Sequence, residues 1–337
     1  MKLSMSRPIA IGLFSGAGGL DIGLENAGFK FRASVELDPV RCETLRLSRK
    51  GCPVLCEDIR AISSERIKSA SFIDEVDLVA AGPPCQPFSK LAYWMTEGKV
   101  KDANKADLIF QPVRLARELN ARAVFIENVP GLCYRHAKPL LDLLLKKLES
   151  AGYSTTWAVV NAADYGVPQL RKRLIIIGMQ DIIPRIPDPT ITNGNFMTAG
   201  DAIGDLDNGS ADDAELIGGK HGKLLQLIPP GKNYIHLTDR GDGIPHFRYR
   251  SRYWSFLLKL SPDLPSWTIP AQAGSYTGPF HWRSRKLRIL ELKRLQTFPD
   301  DWTFCGSDTM IRRQIGDAVP PLLAQRLGEE IIKQLNE

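Results

Sequence analysis

The sequence has no long apolar run, only five histidines, and six cysteines without a regular spacing. A membrane-spanning helix needs about 20 consecutive apolar residues, so we expect no membrane span. The N-terminal residues lead into a glycine-rich stretch without a long apolar segment, so we expect no signal peptide. Scattered cysteines favour a reducing cytoplasm over a disulfide framework. No histidine stands at zinc-ligand spacing from a cysteine, and we therefore predict that the protein binds no metal.

The charge of the chain is nearly balanced, but one stretch is strongly basic. Of the 337 residues, 44 are Lys or Arg and 38 are Asp or Glu, which gives a net charge of +6. The stretch 246–294 holds ten basic and two acidic residues, a local charge of 10 − 2 = +8, with aromatic residues interleaved. Such a composition is typical of a surface that binds a phosphate backbone. The alternative is a solvated face that keeps the protein soluble.

The first half of the chain alternates between short apolar runs and segments with helical spacing of apolar residues. This alternation predicts an α/β fold with a doubly wound, mostly parallel sheet, whose ligands bind at the carboxyl ends of the strands. The predicted strands are 9–14, 31–36, 76–81, 123–127, 156–160 and 174–178, and the predicted helices include 20–27, 109–119 and 140–151.

The periodic pattern stops after about residue 184, where prolines cluster and Gly, Asn and Asp then dominate. We therefore predict that residues 184–284 form a second, smaller and irregular domain. Residues 285–311 would be a hinge, and helical spacing returns toward the C-terminus. The first domain would then consist of residues 1–183 together with 312–337.

Two segments at predicted strand ends have the composition of a nucleotide-like cofactor site. The run from Phe14 to Leu20 contains Gly16, Gly18 and Gly19 between a strand and a helix, where a backbone without side chains can approach a ligand closely. Glu36 ends the second strand, and an acid there can bind ribose hydroxyls. The alternative is a tight strand–helix turn beside a surface glutamate.

Three further segments contain candidate catalytic groups. Cys85 stands in Gly82-Pro83-Pro84-Cys85-Gln86-Pro87, a stiff loop that would present a nucleophile. Glu127 ends a buried strand and could act as a general acid. Arg171 and Arg173 stand two residues apart in a predicted extended segment, so we expect them to point the same way and to clamp a base, a phosphate or Glu127.

Six segments, in this order and at these spacings, together resemble the cytosine-C5 DNA methyltransferase family over nearly the whole chain. They are LFSGAGGLDIGLENAG, GPPCQPFS, ENVPGL, NAADYGVPQLRKRLIIIG, LKRLQTFPDDW and RQIGDAVPPLLAQRL. The resemblance implies the Rossmann-like fold of S-adenosylmethionine-dependent methyltransferases, with S-adenosylmethionine as the cofactor and double-stranded DNA as the partner. It also makes the region 184–284 a target-recognition domain.

By motif position, the resemblance implies that Phe14 contacts the adenine, Glu36 the ribose hydroxyls and Asp58 the adenine amino group. The glycines would leave room for the methionine portion. The full set of implied cofactor-binding residues is Phe14, Ser15, Gly16, Ala17, Gly18, Gly19, Leu20, Glu36, Leu37, Asp58, Ile59, Gly82, Pro84, Asp317 and Val319.

The implied catalytic residues are Cys85, Glu127, Arg171 and Arg173. A Cys85 thiolate that adds to C6 of cytosine makes C5 nucleophilic, Glu127 acts at N3, and Arg173 holds O2. The target atom is out of reach inside a duplex, so the base must be flipped out, and the polar segment 90–105 would close over it as a lid. The expected substrate-binding residues are Pro84, Gln86, Ser89, Arg248, Arg250 and Arg252.

Three positions depart from the family pattern. Gly12 stands where the family usually has an acid, Leu290 where it usually has an arginine before Glu291, and Asp317 where it usually has an asparagine. The family's asparagine lies near the cofactor carboxylate. An added negative charge at Asp317 is therefore expected to disfavour cofactor binding.

Three alternatives remain open from the sequence. A tRNA cytosine methyltransferase shares the Pro-Pro-Cys-Gln loop, but its usual Cys-Phe-Thr run is missing here. A catalytically silent DNA-binding relative does not explain why Cys85, Glu127 and both arginines are intact, and a nicotinamide-dependent oxidoreductase does not explain Cys85. The length favours a bacterial or phage enzyme that belongs to a restriction or other defence system. We further expect a monomer that lies in the cytoplasm and is associated with the nucleoid.

Overall fold

Seven strands form one central sheet, with strand order β3-β2-β1-β4-β5-β8-β6. The computed structural model describes residues 7–84, 107–210 and 215–337. The strands of this sheet are β1 (Ile9–Leu13), β2 (Lys30–Glu36), β3 (Val54–Cys56), β4 (Leu78–Ala81), β5 (Ala123–Asn128), β6 (Ser154–Asn161) and β8 (Lys172–Met179). Two short strands, β7 (Gln169–Leu170) and β9 (Ser266–Trp267), pair with each other outside it.

The sheet is parallel from β3 to β5, whereas β8 lies antiparallel between β5 and β6. The chain builds β1, β2 and β3 in one direction, then returns to place β4 and β5 on the other side of β1. The prediction of a doubly wound, mostly parallel α/β sheet is confirmed. The antiparallel insertion of β8 was not predicted, because an apolar run carries no information about strand direction.

Nine α-helices lie in the described part of the chain. They are α1 (Gly19–Ala27), α2 (Pro39–Ser48), α3 (Ser64–Ser71), α4 (Gln111–Glu118), α5 (Lys138–Ser150), α6 (Ala199–Ile203), α7 (Ile289–Leu295), α8 (Asp308–Asp317) and α9 (Pro321–Leu335). No helix within the described ranges is both long enough and apolar enough to cross a membrane.

Both faces of the sheet are covered. One buried cluster includes Ile11, Val79 and Ile126 of the strands and Leu141 and Leu144 of α5. The other packs the opposite strand faces against α1 and α9. The C-terminal helix therefore completes the first layered unit, as the return of helical spacing predicted.

The region after residue 184 contains little regular structure. It has the short helix α6, several 3-10 turns, the strand β9 and a small apolar cluster of its own built from residues such as Leu225, Leu237 and Phe280. A second cluster joins Ile203 and Leu260 of this region to Leu292 of α7 and Ile315 of α8. The region thus has a core but is also packed against the following helices, and the boundaries 1–183 with 312–337, 184–284 and 285–311 stay a prediction.

Candidate active site

The candidate site lies where the carboxyl ends of β1, β2, β4 and β5 meet. Leu13, the last residue of β1, pairs with Val35 of β2 on one side and with Ala81 of β4 on the other. β1 and β4 are parallel, but the order in which strands are added to the sheet reverses between them, so the loops that leave these two strands diverge and open a crevice. The glycine-rich loop and the loop that begins at Gly82 both start at this edge.

Glu36 holds the glycine-rich loop in place. One carboxylate oxygen accepts a hydrogen bond from the Gly16 backbone N–H at 2.8 Å. The other accepts from the N–H groups of Leu37 and Asp38, each at 2.9 Å. Phe14 and Gly16 both adopt positive φ, of 54° and 56°. The predicted ribose-binding acid therefore stands within hydrogen-bonding reach of the predicted cofactor loop.

The glycines of this site fall into two groups. A Cβ at Gly19 would lie 2.3 Å from the Val319 carbonyl oxygen, and one at Gly18 would lie 2.9 Å from Leu45 and Trp302, so packing requires glycine there. Among the described residues, a Cβ at Gly16 or at Gly82 would have no neighbour closer than 3.8 Å. Packing against these residues therefore does not require glycine at either position. A backbone without a side chain at these two positions fits a cofactor that lies against it.

Aromatic residues from the C-terminal part support the same loop from behind. Trp302 donates its indole N–H to the Ala17 carbonyl oxygen at 3.2 Å. Ala17, Phe298 and Trp302 form a small buried cluster. The segment LKRLQTFPDDW thus supports the glycine-rich loop. This role was not predicted, because a contact between residues 285 positions apart leaves no local pattern in the sequence.

The remaining predicted cofactor residues lie around the same edge but differ in accessibility. Leu20 is buried against α9 and Ile59 is buried in the core below α3, so both support the loops, while Leu37 is 62% exposed. Asp58 follows β3, and the Arg60 guanidinium hydrogen-bonds to it. That bond lowers the pKa of Asp58.

Glu127 and Arg173 form an ion pair at the base of the crevice. Arg173 Nε lies 2.7 Å from Glu127 Oε1, and only about one-eighth of each side chain is exposed (13% and 12%). The Cβ position of Gly82 lies 3.8 Å from Glu127 Oε2. Asn128 donates its side-chain N–H to the Pro83 carbonyl oxygen at 3.3 Å, which ties this strand to the proline loop. Pro84 is exposed.

The predicted nucleophile Cys85 comes directly after Pro84. Cys85, Gln86, Ser89 and the predicted lid 90–105 lie outside the described residues. What the structure describes is the start of their loop, at Gly82, Pro83 and Pro84, beside the Glu127–Arg173 pair.

The hydrogen bonds of Arg171 lead away from Glu127. Its guanidinium donates to the carbonyl oxygens of Gly316 at 2.7 Å, Ala318 at 3.0 Å and Ile269 at 3.3 Å, and the residue is buried. In the described part of the chain, Arg173 is the arginine that pairs with Glu127, and a joint clamp of both arginines on a base or a phosphate stays a prediction. The two-residue alternation fails because β7 ends at Leu170 and β8 begins only at Lys172. Arg171 joins the double-arginine segment to the C-terminal motif.

A buried acid fills the space beside Gly12. A Cβ at Gly12 would lie 2.7 Å from Asp21 Oδ2 and 2.6 Å from Ser15 Oγ. Asp21 lies in α1, accepts from the Ser34 hydroxyl at 2.7 Å, and pairs with Arg49 at 2.8 Å. Burial raises the pKa of Asp21, and the Arg49 guanidinium opposes that rise. The acid expected at position 12 is therefore replaced by one from the adjoining helix.

Asp317, the second departure from the family pattern, is ion-paired. Its carboxylate lies 2.5 Å from Arg41 Nη2, and Arg313 Nε lies 3.9 Å away. Val319 contacts the loop at Gly19. The expected unfavourable charge of Asp317 thus has a cation beside it, and Arg41 was not among the predicted residues.

The predicted DNA-contacting arginines are exposed. Arg248, Arg250 and Arg252 lie on one segment, and within the ranges that the structure describes none of them forms an ion pair. Nearby, the rings of Trp254 and Trp267 lie 5.5 Å apart, and both are partly exposed. Trp267 belongs to β9, which pairs with Leu170 of the double-arginine segment.

The local charge of +8 counted for residues 246–294 is partly neutralised by acids from other parts of the chain. Arg283 pairs with Asp207, and Arg294 pairs with Asp205 and Asp300. Lys259 and Arg285 are buried. A count along the sequence therefore overstates the positive surface, and the exposed arginines at 248, 250 and 252 are its main part. In the described ranges, no cluster of three His, Cys, Asp or Glu side chains could hold a metal ion.

Comparisons with known proteins show which family the chain resembles. The model of the family described as "C-5 cytosine-specific DNA methylase" matches residues 10–333. The chain is 36% identical to the type II methyltransferase M.SacI of Streptomyces achromogenes, an alignment that covers 96% of this chain and 93% of that protein. It is 30% identical to M.XorII of Xanthomonas oryzae pv. oryzae, over 99% of this chain and 86% of that protein.

Solved structures show the same fold. A putative DNA modification methyltransferase of an Escherichia coli prophage aligns with a TM-score of 0.72 at 23% identity, over 98% of this chain and all of that one. The S. pombe Dnmt2 methyltransferase aligns with a TM-score of 0.69 at 15% identity, again over 98% of this chain and all of that one. At these identities the likeness concerns the fold alone. The family match over nearly the whole chain is decisive, and the chain belongs to the C-5 cytosine-specific DNA methylase family.

Proposed function

We propose that the chain transfers a methyl group from S-adenosylmethionine to C5 of a flipped-out cytosine in a specific double-stranded DNA sequence, through a covalent bond between Cys85 and C6. The observation that carries this proposal is the Glu127–Arg173 ion pair at the end of β5, next to Gly82 at the start of the Pro-Pro-Cys loop. An acid and a guanidinium at the base of one crevice are the two groups that a cytosine ring needs at N3 and O2.

The loops at the ends of β1, β2 and β4 would hold the cofactor, which supplies the electrophilic methyl group when bound. Glu36 would bind the ribose hydroxyls, and the bare backbone at Gly16 and Gly82 would lie against the ligand. Phe14 and Asp58 are the candidates for the adenine, and Val319 is a further candidate contact of the ligand. Trp302 supports the loop. The bonds from Glu36 to Gly16, Leu37 and Asp38 support this arrangement, because they keep the loop preformed.

Cys85, Glu127 and Arg173 would each act on a different atom of the cytosine ring. The Cys85 thiolate adds to C6, and Glu127 hydrogen-bonds or protonates N3, which stabilises the electron density pushed toward C5. Arg173, held by Glu127, would bind O2, and the Pro84 carbonyl would accept from the exocyclic amine. After C5 has accepted the methyl group, a base removes the C5 proton and Cys85 leaves.

Arg171 takes a positioning role in this proposal. Its buried guanidinium binds the carbonyl oxygens of Ile269, Gly316 and Ala318, so it fixes the C-terminal motif and the last part of the second region relative to β8. Its loss is expected to disturb cofactor and base sites together.

The region 184–284 would read the DNA. The exposed arginines at positions 248, 250 and 252 would contact phosphates or a base edge. Trp267 of the exposed Trp254–Trp267 pair lies in β9, whose backbone pairs with β7 at the start of the double-arginine segment. The relatives with the names quoted above are type II methyltransferases, which supports a restriction–modification or other defence setting. We further propose that the chain acts as a monomer on nucleoid DNA.

A covalent trap tests the mechanism. DNA that carries 5-fluorocytosine at the target should form a stable adduct with the wild type, because fluorine blocks the final elimination. Cys85→Ser should form none and should lose turnover, since the serine oxygen is too weakly ionised to add to C6. Cys52→Ser, at the opposite end of the sheet, is the matched control and should behave as the wild type. Bisulfite sequencing of DNA from expressing cells first identifies the target.

The possible outcomes separate the parts of the proposal. Methylated DNA without an adduct would contradict the covalent step but not the methyl transfer. Methylation of tRNA rather than DNA would overturn the substrate assignment.

A further inference from the structure

One ion pair lies at the mouth of the glycine-rich loop and has no role in the function proposed so far. Arg41 lies in the first turn of α2, and its Nη2 atom is 2.5 Å from the Asp317 carboxylate at the end of α8. Its other terminal nitrogen, Nη1, is the nearest atom to the Cβ position of Gly16, at 3.8 Å. The guanidinium therefore has one edge on Asp317 and another toward the loop at Gly16.

This pair is not needed to hold the two helices together. Buried Thr44 of α2 hydrogen-bonds to Gln314 of α8 at 2.7 Å, and the same hydroxyl accepts from the Cys305 backbone N–H at 2.9 Å. The Arg41 side chain is 20% exposed and that of Asp317 is 38% exposed. A pair this accessible contributes little to stability, so a change at Arg41 should leave the fold intact.

The other charges near the pair are few. Asp38, the N-cap of α2, lies 4.0 Å from Arg41 Nε, and Arg313 lies 3.9 Å from Asp317. Two acids and two guanidinium groups thus share the entrance to the loop. Such an arrangement suits a ligand that carries a positive and a negative group on one carbon atom, as an α-amino acid does.

We propose that Arg41, positioned by Asp317, binds the carboxylate at the amino-acid end of S-adenosylmethionine. This inference rests on the proposed function for the identity of the cofactor. Arg41 supplies a charge-assisted hydrogen bond through Nη1, while its bond through Nη2 neutralises Asp317. The acid at position 317 is tolerated because the guanidinium lies between it and the ligand.

Calorimetric titration of the purified full chain with three ligands tests this inference. S-adenosylmethionine and S-adenosylhomocysteine both carry the amino-acid end, and they differ in the charge on sulfur. 5′-Methylthioadenosine has the adenosine and the sulfur but no amino-acid end. Arg41→Ala should weaken the first two by about tenfold or more, the scale of a hydrogen bond to a charged group. It should leave 5′-methylthioadenosine unchanged.

Two further variants isolate the role of the charge. Asp317→Asn alone should retain binding of S-adenosylmethionine. Combined with Arg41→Ala, it should restore part of the lost affinity, because no unpaired carboxylate then faces the ligand. Arg46→Ala removes a more exposed arginine from the same helix and is the matched control. Circular dichroism of each variant establishes that it is folded.

The outcomes are distinct from those that test the proposed function. A wild type that binds none of the three ligands would overturn the cofactor assignment itself. Wild-type affinity of Arg41→Ala for S-adenosylmethionine, or an equal loss for 5′-methylthioadenosine, would overturn the role of Arg41 while leaving the cofactor assignment in place.

Discussion

His281 should make the stability of the second region depend on pH. The imidazole is completely buried and stacks on Trp282 with ring centroids 4.0 Å apart. Its Nδ1 accepts from the Arg283 backbone N–H at 3.1 Å, and its Nε2 lies 3.7 Å from a Glu291 carboxylate that Arg285 already binds. Burial, with Arg285 and Arg283 adding to it, lowers the pKa of His281 to about 4, although Glu291 and Asp207 oppose the shift.

The direction of this pH dependence follows from the difference in proton binding between the folded and the unfolded chain. Between pH 4 and the unfolded value of about 6.5, the unfolded chain binds a proton at His281 and the folded chain does not. The contribution of His281 to the free energy of unfolding is therefore fully present above pH 6.5 and is lost as the pH falls from there toward 4. A shift of this size corresponds to about 3 kcal/mol below pH 4, and to about 2 kcal/mol between pH 7.5 and pH 5.

Urea unfolding followed by tryptophan fluorescence at several pH values measures this loss, and hydrogen exchange of peptides around residue 281 localises it. His281→Gln keeps a polar side chain without titration, so the difference in pH dependence between variant and wild type should be about 2 kcal/mol over that interval. His246→Gln, at an exposed histidine of the same region, is the control. An identical pH dependence in His281→Gln and the wild type would refute the reasoning.

Three further predictions concern the site. Glu127→Gln should lower the single-turnover methylation rate by about 10²–10⁴-fold, the usual scale for a general acid, with DNA affinity unchanged; an unaltered rate removes Glu127 from the mechanism. Reversal of charge at Arg248, Arg250 and Arg252 should reduce the slope of log affinity for DNA against log salt by about 0.9 for each lost phosphate contact. Cofactor affinity should stay the same, and an unchanged slope would mean that these arginines are only solvated. Gly19→Ala should destabilise the fold by about 1–3 kcal/mol, because its methyl would collide with the Val319 carbonyl. Gly82→Ala should keep the stability but weaken ligand binding. A less stable Gly82→Ala in thermal unfolding, or a Gly19→Ala that loses only ligand affinity in titration, would contradict the assignment of Gly19 to packing and of Gly82 to the ligand.

The strands were predictable because each is a short apolar run with a clear end. The runs at 9–14, 76–81 and 123–127 became β1, β4 and β5 within a few residues, and the glycine and proline punctuation placed the functional loops at their carboxyl ends. Helix α3 was missed. Its sequence, SERIKSAS, is mostly polar, with Ile67 buried in the core, so its spacing of apolar residues gives little signal.

Contacts between distant segments could not be predicted from local patterns. Arg171 and Arg173 read as one motif, yet their hydrogen bonds go to different parts of the fold, because the strand is interrupted between them. The positive charge of the stretch 246–294 looked uniform along the chain. Arg283 and Arg294 are neutralised by Asp205, Asp207 and Asp300, and these ion pairs form only when the chain is folded.

The three departures from the family pattern show how the fold balances charge between elements. At Gly12, where the pattern has an acid, the buried Asp21 carboxylate comes from α1 and has Arg49 as its partner.

At Leu290, where the pattern has an arginine, Glu291 instead pairs with buried Arg285, at 2.6 Å. At Asp317, where the pattern has a neutral amide, the added negative charge pairs with Arg41. Burying an unpaired charge costs several kcal/mol, so the buried carboxylates of Asp21 and Glu291 need partners, and these can come from any element that reaches the position. The more exposed Asp317 needs its partner for ligand binding rather than for the stability of the fold. A residue-by-residue comparison of motifs therefore finds three missing residues, whereas in the folded chain each of these charges has a partner from another part of the fold.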